Sequence, residues 1–330
     1  MSDSVLGKGF SALADAPPGD PVSFVDPRTF VPHAYPEQQV DLGEVVMNYA
    51  EAGSPANPAL LLIPGQTESW WGYEGAMAIL ERDFHVFAID VRGHGRSSWT
   101  PGRYTFDTMG NDLSRFIAQV IGRPTIASGC SSGGVLAAWL AAFAPPGQLR
   151  GAVLEDPPLF ASETTPLYGP SIRQAIGDLF RINATYLGDQ WRIGDYAGLR
   201  RAAKVDPSPL LRMFPFPEEP SQNMKEYDPE FGRAFWEGTV AANCRHELLL
   251  SKIRTPVLLT HHARMVNPET GHLFGAMSDL QAAKAREIVA ATGTPIDYVS
   301  LPQAAHAMHF ADPALFAQTV GDWVARLPST

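Results

Sequence analysis

Residues 124–144 read PTIASGCSSGGVLAAWLAAFA, and the fold follows from this stretch. It begins as a short β-rich apolar run and ends as an apolar run of helix formers. Between them stands Gly129-Cys130-Ser131-Ser132-Gly133. A G-x-S-x-G placed after a strand and before a helix marks a sharp turn that lifts a serine hydroxyl into the open. The two glycines allow the tight, strained backbone that such a turn needs. The helix that follows directs its positive end, and the N–H of Ser132, toward charge developing on an oxygen beside the serine. The glycine spacing selects Ser131 as nucleophile over its neighbour Ser132. Cys130 reads as a small packing residue that points away from the turn.

Outward from this turn the same alternation repeats. QQVDLGEVVMNYAEAG (38–53) reads as a hairpin around Asp41-Leu42-Gly43. ALLLIPG (59–65) and HVFAIDVRGHGRS (85–97) are buried strands that run into glycine loops, with helical spacing at 70–84 and 106–121. RGAVLED (150–156) is a further strand. The pattern breaks at Pro157 and resumes at TPVLLTH (255–261), followed by helix 280–293, strand 295–302 and helix 313–327. Repeated βα units predict an α/β fold, a mostly parallel sheet with helices on both faces. The core is expected at 37–157 and 251–330.

The interruption at 158–250 is helical and uneven, with Trp191, Trp236, Phe214, Phe216, Met213 and Met224 among its residues. An insertion between two parallel strands lies above the strand C-termini, where open α/β sheets bind ligands. It is expected to be a cap domain lying between the sixth and seventh strands. For any single aromatic in it, packing within the cap is the simpler role. Residues 1–36, rich in Pro, Asp and small side chains, are expected to form an N-terminal arm.

Composition narrows the function classes. The chain has 330 residues, 45% of them apolar and 18% charged, as a globular core requires. A net charge of −10 speaks against nucleic acid and against an anionic membrane surface. A small neutral substrate fits better. The only two cysteines, Cys130 and Cys244, exclude a disulfide framework and suit a reducing cytoplasm. No secretory signal and no run of about 18 apolar residues is visible. A homodimer built through the arm is among the arrangements the sequence allows.

A serine hydroxyl needs a base, and nine histidines compete for that role. His306 follows a strand by a few residues, in QAAHAMHFADP (303–313), with a helix starting at Pro313. It is the expected general base. His309 reads as a loop or core histidine, His261 and His262 as satisfied polar residues at a strand end, and His94 as a residue that fixes its loop. No two histidines pair with an acid at metal-ligand spacing, so no metal and no cofactor are expected.

The turn at Ser131, the loop at His306, the DVRGHGRS segment (90–97) and the insertion together resemble the α/β-hydrolase superfamily over about residues 38–328. That resemblance implies a third catalytic residue, an acid. Most members carry it after the strand that resumes beyond the cap; here that position falls on Met265, which cannot orient an imidazole. Glu269 is four residues late, in a proline-bearing loop. The alternative acid site in the superfamily ends the strand before the cap, about two dozen residues after the nucleophile. Glu155 stands 24 residues after Ser131 and is the expected acid. Asp156 is its close competitor, because neighbours on a strand face opposite ways and only one can meet His306. The resemblance also places a second oxyanion donor in Pro64-Gly65-Gln66-Thr67, most naturally the backbone N–H of Gln66, with Ser132 as the first.

PGQTESWWGYEG (64–75), GCSSGG (129–134), LEDPP (154–158) and QAAHAMHF (303–310) are together similar to actinobacterial zearalenone lactonases. This implies a carboxylic ester hydrolase that opens a macrocyclic resorcylate ester, with Ser131, His306 and Glu155 as its triad. Gly65 and Trp191 are then candidates for substrate contact. Rival readings are a general cap-bearing carboxylesterase, a C–C bond hydrolase, or a non-catalytic receptor on the same fold.

Overall fold

The computed structural model describes residues 32–187, 194–206, 216, 218 and 220–328. The first described elements form an antiparallel hairpin of β1 (Glu37–Asp41) and β2 (Val46–Ala52), in which Asp41 pairs with Val46. Then come β3 (Ala59–Ile63), α1 (Glu74–Leu80), β4 (His85–Ile89), α2 (Phe106–Phe116), β5 (Thr125–Cys130), α3 (Ser132–Phe143) and β6 (Leu149–Glu155). Helices α4 (Arg173–Tyr186), α5 (Tyr196–Val205), α6 (Gln222–Lys225), α7 (Pro229–Glu237) and α8 (His246–Ser251) intervene before β7 (Val257–His261). A small hairpin, β8 (Met265–Val266) and β9 (Leu273–Phe274), precedes α9 (Asp279–Ala291) and β10 (Ile296–Ser300). Helices α10 (Met308–Ala311) and α11 (Pro313–Val324) complete the chain.

Eight strands form one sheet in the order β1-β2-β4-β3-β5-β6-β7-β10, with β2 alone running against the others. This is the expected α/β arrangement. Every residue of β3, β4, β5 and β7 is buried, because helices cover both faces. Each large apolar side chain so enclosed contributes about 1.5–3 kcal/mol. On one face Ala152 and Leu154 of β6 pack with Leu113, Phe116, Leu136 and Leu140 of α2 and α3. On the other, Val153 packs with Met77 of α1 and Phe316, Val320 and Trp323 of α11. This parity along β6 also decides which face Glu155 takes.

Two details depart from the sequence reading. Helix 106–121 keeps α geometry to Phe116 and then widens into one π turn that ends at the left-handed Gly122. The β8–β9 hairpin was not foreseen, since two-residue strands leave no periodicity to read.

The helices between β6 and β7 have a small core of their own, Leu179, Ile182, Leu187, Leu199 and Ala203. They also grip the loop after β4. His94 lies edge-on to Tyr227 and Phe231 at 5.0 and 4.7 Å. Asp228 N–H donates to Gly93 O at 2.8 Å, and the Tyr104 hydroxyl donates to the Asp228 carboxylate. Of the expected arm, residues 32–36 are described: Ala34 N–H donates to Glu74 at 2.7 Å, and His33 packs on Trp70 and Trp71. Residues 1–31 lie outside the described residues, as does Trp191. Among the described residues, no helix is long and apolar enough to cross a membrane.

Candidate active site

The ends of β3, β5, β6 and β7 converge on Ser131. The chain leaves β5 at Cys130 and enters α3 at Ser132, so Ser131 alone makes the turn, with φ 55 and ψ −121. Such a conformation is strained for a residue with a side chain and persists only where its surroundings enforce it. Here they do. Ser131 N–H donates to Glu155 O at 2.9 Å, and the flanking glycines leave no alternative. A Cβ on Gly129 would stand 2.0 Å from Gly133 O, and one on Gly133 would stand 2.3 Å from Ile63 O.

The loop that carries His306 lies beside this turn, with the Cys130 thiol donating to His306 O at 3.7 Å. His306 Nδ1 donates to Asp156 Oδ2 at 2.7 Å, with the imidazole 21% exposed and the carboxylate 1%. The expectation that Glu155 would hold His306 is therefore corrected: the carboxylate that reaches it is Asp156. Glu155 accepts instead from His309, whose backbone N–H and Nδ1 approach it at 2.9 and 3.0 Å. Strand parity places Glu155, and the turn that follows the strand places Asp156. Glu155 is the last residue of β6 and shares the face of Val153, where it meets His309 and Tyr73 under α1 and α11. Asp156 is one step beyond, at φ 41 and outside the pleat, where it meets His306.

Asp156 is thoroughly fixed. Its N–H donates to Thr260 O at 3.1 Å, and its Oδ1 accepts His262 N–H at 3.0 Å. Burial alone would raise its pKa, but the hydrogen bond from His306 and the charges of His262 and His306 hold it below the ordinary 3.8. Burial likewise works against a charged His306; the bond and charge of Asp156, with Glu68 and Glu155, overcome it and raise the imidazole above 6.5. The inner pair behaves in the same way, with Glu155 lowered and His309 raised, as a buried ion pair should be.

His262 supports the loop from below. Its Nδ1 lies 2.8 Å from Ala305 O and 3.1 Å from His306 O, and its Nε2 lies 2.9 Å from the Thr260 hydroxyl. His261 is satisfied by Met277 O and the Tyr298 hydroxyl. Met265 and Glu269 lie exposed on the β8–β9 hairpin, well placed for neither acid nor base work.

The turn after β3 faces Ser131. Gly65 backs onto it so closely that a Cβ there would lie 3.2 Å from Ser131 Cβ. Its N–H is taken by Glu68 Oε2 at 2.6 Å. Gln66 sends its side chain to the Tyr227 hydroxyl at 2.8 Å, and Asn223 donates to Thr67 O. The inserted helices thus hold the backbone of this turn. Sequence reasoning overlooked Glu68 and Tyr227; Glu68 stood inside a quoted motif, whereas Tyr227 carried no signal.

Among the described residues, one group of metal-ligand types comes together: Cys130, Glu155 and His309, with donor atoms within 4.8 Å of one another. All three are buried. Glu155 and His309 are committed to each other, and burial holds the Cys130 thiol well above its ordinary pKa. As they stand they form an ion pair and a packing thiol.

Comparison with known proteins agrees with this architecture. The sequence pattern of the α/β-hydrolase fold matches residues 58–197. The 3-hydroxybutyrate-oligomer hydrolase of Cupriavidus necator is 26% identical over 82% of this chain and 90% of its own. The 3-oxoadipate enol-lactonase 2 of Acinetobacter baylyi is 32% identical over 31% of this chain and 38% of its own. The crystal structure of E-2-(acetamidomethylene)succinate hydrolase covers 88% of this chain and 99% of its own, with a TM-score of 0.62 and 20% identity. That last likeness is one of fold.

Proposed function

We propose that this chain, which has the α/β-hydrolase fold, is a serine hydrolase of carboxylic esters and lactones. The observation that carries the reading is the 2.7 Å bond between His306 and Asp156 beside a serine held at φ 55. In this reading His306, oriented by Asp156, takes the proton of Ser131, which attacks the ester carbonyl. The oxyanion falls to the Ser132 N–H, at the start of α3, and to the Gln66 N–H. Among the N–H groups of its turn, Gly65's is held by Glu68 and Glu68's by Gly65 O at 3.3 Å, while Pro64 has none. Collapse expels the alcohol with the proton from His306, and water releases the acyl group. The helices at 158–250 serve as a cap over the site, and the hydrolases and the lactonase that resemble the chain support this class of reaction.

The finer reading is a neutral aromatic lactone, with zearalenone as the first candidate. What supports it is the likeness of residues 64–75, 129–134, 154–158 and 303–310 to zearalenone lactonases. In a macrolactone the leaving alcohol stays tethered and can re-attack; loss of carbon dioxide from a β-resorcylic acid would make opening irreversible. The test is to incubate the protein and Ser131→Ala with zearalenone and a panel of simple esters, and to follow products by mass spectrometry. Ring-opened product that vanishes with Ser131→Ala is the expected result. Ester turnover without lactone opening would leave a general esterase, and turnover that survives Ser131→Ala would end the serine mechanism.

A further inference from the structure

Three carboxylates surround the nucleophile, and only two are answered by an imidazole. Asp156 has His306 and Glu155 has His309. The third is Glu68, half-buried in the turn after β3. Its Oε2 lies 2.8 Å, and Ser131 Cβ 3.2 Å, from the point where a Gly65 Cβ would stand, so the two atoms are within about 6 Å of each other. Among the described residues no cation pairs with Glu68; its one fixed partner is the Gly65 N–H. Its charge reaches both His306 and His309.

A lone carboxylate beside a nucleophile acts unequally on the states of an ester hydrolysis. In each tetrahedral intermediate the proton taken from the attacking oxygen sits on His306, so the oxyanion is matched by an imidazolium and the reacting centre is close to neutral. After deacylation His306 has returned its proton to Ser131, and the product acid has lost its own to solvent. A bare carboxylate then stands near Glu68 with no added cation. Like charges at this distance repel appreciably in a partly desolvated site. We propose that Glu68 is a specificity-determining residue that expels carboxylate products from Ser131 and rejects substrates bearing a free carboxylate next to the scissile bond. The proposal rests on the reading of Ser131 as an ester-cleaving nucleophile.

Glu68→Gln tests it, because the amide oxygen can still accept the Gly65 N–H while the charge is gone. Benzoate and its neutral isostere benzamide serve as probes, in competition with p-nitrophenyl benzoate. The variant should bind benzoate at least tenfold more tightly than wild type and benzamide equally. In wild type the benzoate inhibition constant should also fall as sodium chloride rises, since a charge that still meets solvent is screened, and this dependence should flatten in Glu68→Gln. Equal benzoate constants in the two enzymes, or a wild-type constant indifferent to salt, would overturn the role of Glu68. Benzoate titrated calorimetrically into Ser131→Ala, with and without Glu68→Gln, reads the same difference without turnover. Esterase activity that survives Ser131→Ala would instead strike the underlying mechanism, so the two failures are distinguishable.

Discussion

Glu155 holds His309 twice, through its backbone N–H and through Nδ1, in a pocket where both side chains are at most 1% exposed. The adjacent Asp156 does the same work for His306. Two consecutive carboxylates thus serve two histidines three residues apart, one pair wholly enclosed and one whose imidazole is partly exposed. The inner pair anchors α10 and, through it, the loop that presents the outer one.

The two carboxylates should therefore fail differently. Asp156→Asn removes the group that orients and charges His306, and kcat should fall by roughly 10⁴ with the fold intact. Glu155→Gln leaves a buried imidazolium without its partner, a change that typically costs about 3–5 kcal/mol. Its signature should be a lower Tm and a smaller loss of kcat at temperatures where the protein is still folded. Thermal melts with steady-state kinetics on p-nitrophenyl acetate separate them; the reverse pattern would exchange the two roles.

Activity should fall on the acid side. On the proposed mechanism His306 must be neutral to act as base; Asp156 with the nearby Glu68 and Glu155 raises it above 6.5, so kcat/KM should drop as pH falls through that raised value. Neutralising Asp156 as Asn should move the limb to lower pH. For stability the signs run oppositely within the pair. The raised His306 contributes below 6.5 and its contribution is lost as pH rises through its folded pKa. The lowered Asp156 contributes above 3.8 and its contribution is lost as pH falls through its folded pKa. The Tm difference between wild type and Asp156→Asn should be greatest between these two values.

A third carboxylate cluster predicts alkaline weakness. Burial, followed by the charge of Asp90, raises Glu226 to about 8, against partial relief from Arg96, whose Nε lies 3.7 Å away. Glu226 thus keeps a proton in the fold that the unfolded chain releases near 4.5, and stability drains as pH rises from there to about 8. Glu226→Gln should match wild type in Tm at low pH and exceed it above pH 8. A difference that does not grow with pH would contradict this account.

Gly133→Ala tests the strained turn. Its Cβ would meet Ile63 O at 2.3 Å, and neither that carbonyl nor the turn behind it can retreat without moving the end of β3. Ester hydrolysis should drop by about a hundredfold or more, as for loss of an oxyanion donor. A fluorophosphonate probe should label the variant correspondingly slowly.

Much of this molecule was legible in its sequence. The buried runs at 59–63 and 125–130 could only be strands of a covered parallel sheet, and two glycines spaced about Ser131 dictated the turn between β5 and α3. The loop that carries His306 was readable because a strand precedes it and Pro313 opens a helix after it. Less legible was anything that depends on contact between distant segments. Tyr227 reaches Gln66 across 161 residues, and no local pattern announces such a partner. The β8–β9 hairpin was too short to show a period.

By itself, then, the sequence determined the sheet, the turn at Ser131 and the loop of His306, because each depends on local periodicity and on the sterics of glycine and proline. Only the tertiary structure decided which acid serves which histidine. Alternation along β6 sets only the face of Glu155; Asp156 lies beyond the strand, and its left-handed turn is held by Thr260 of β7 and the His262 backbone. The same holds for Glu68, whose place beside Ser131 follows from the meeting of two strand ends that lie far apart in the chain.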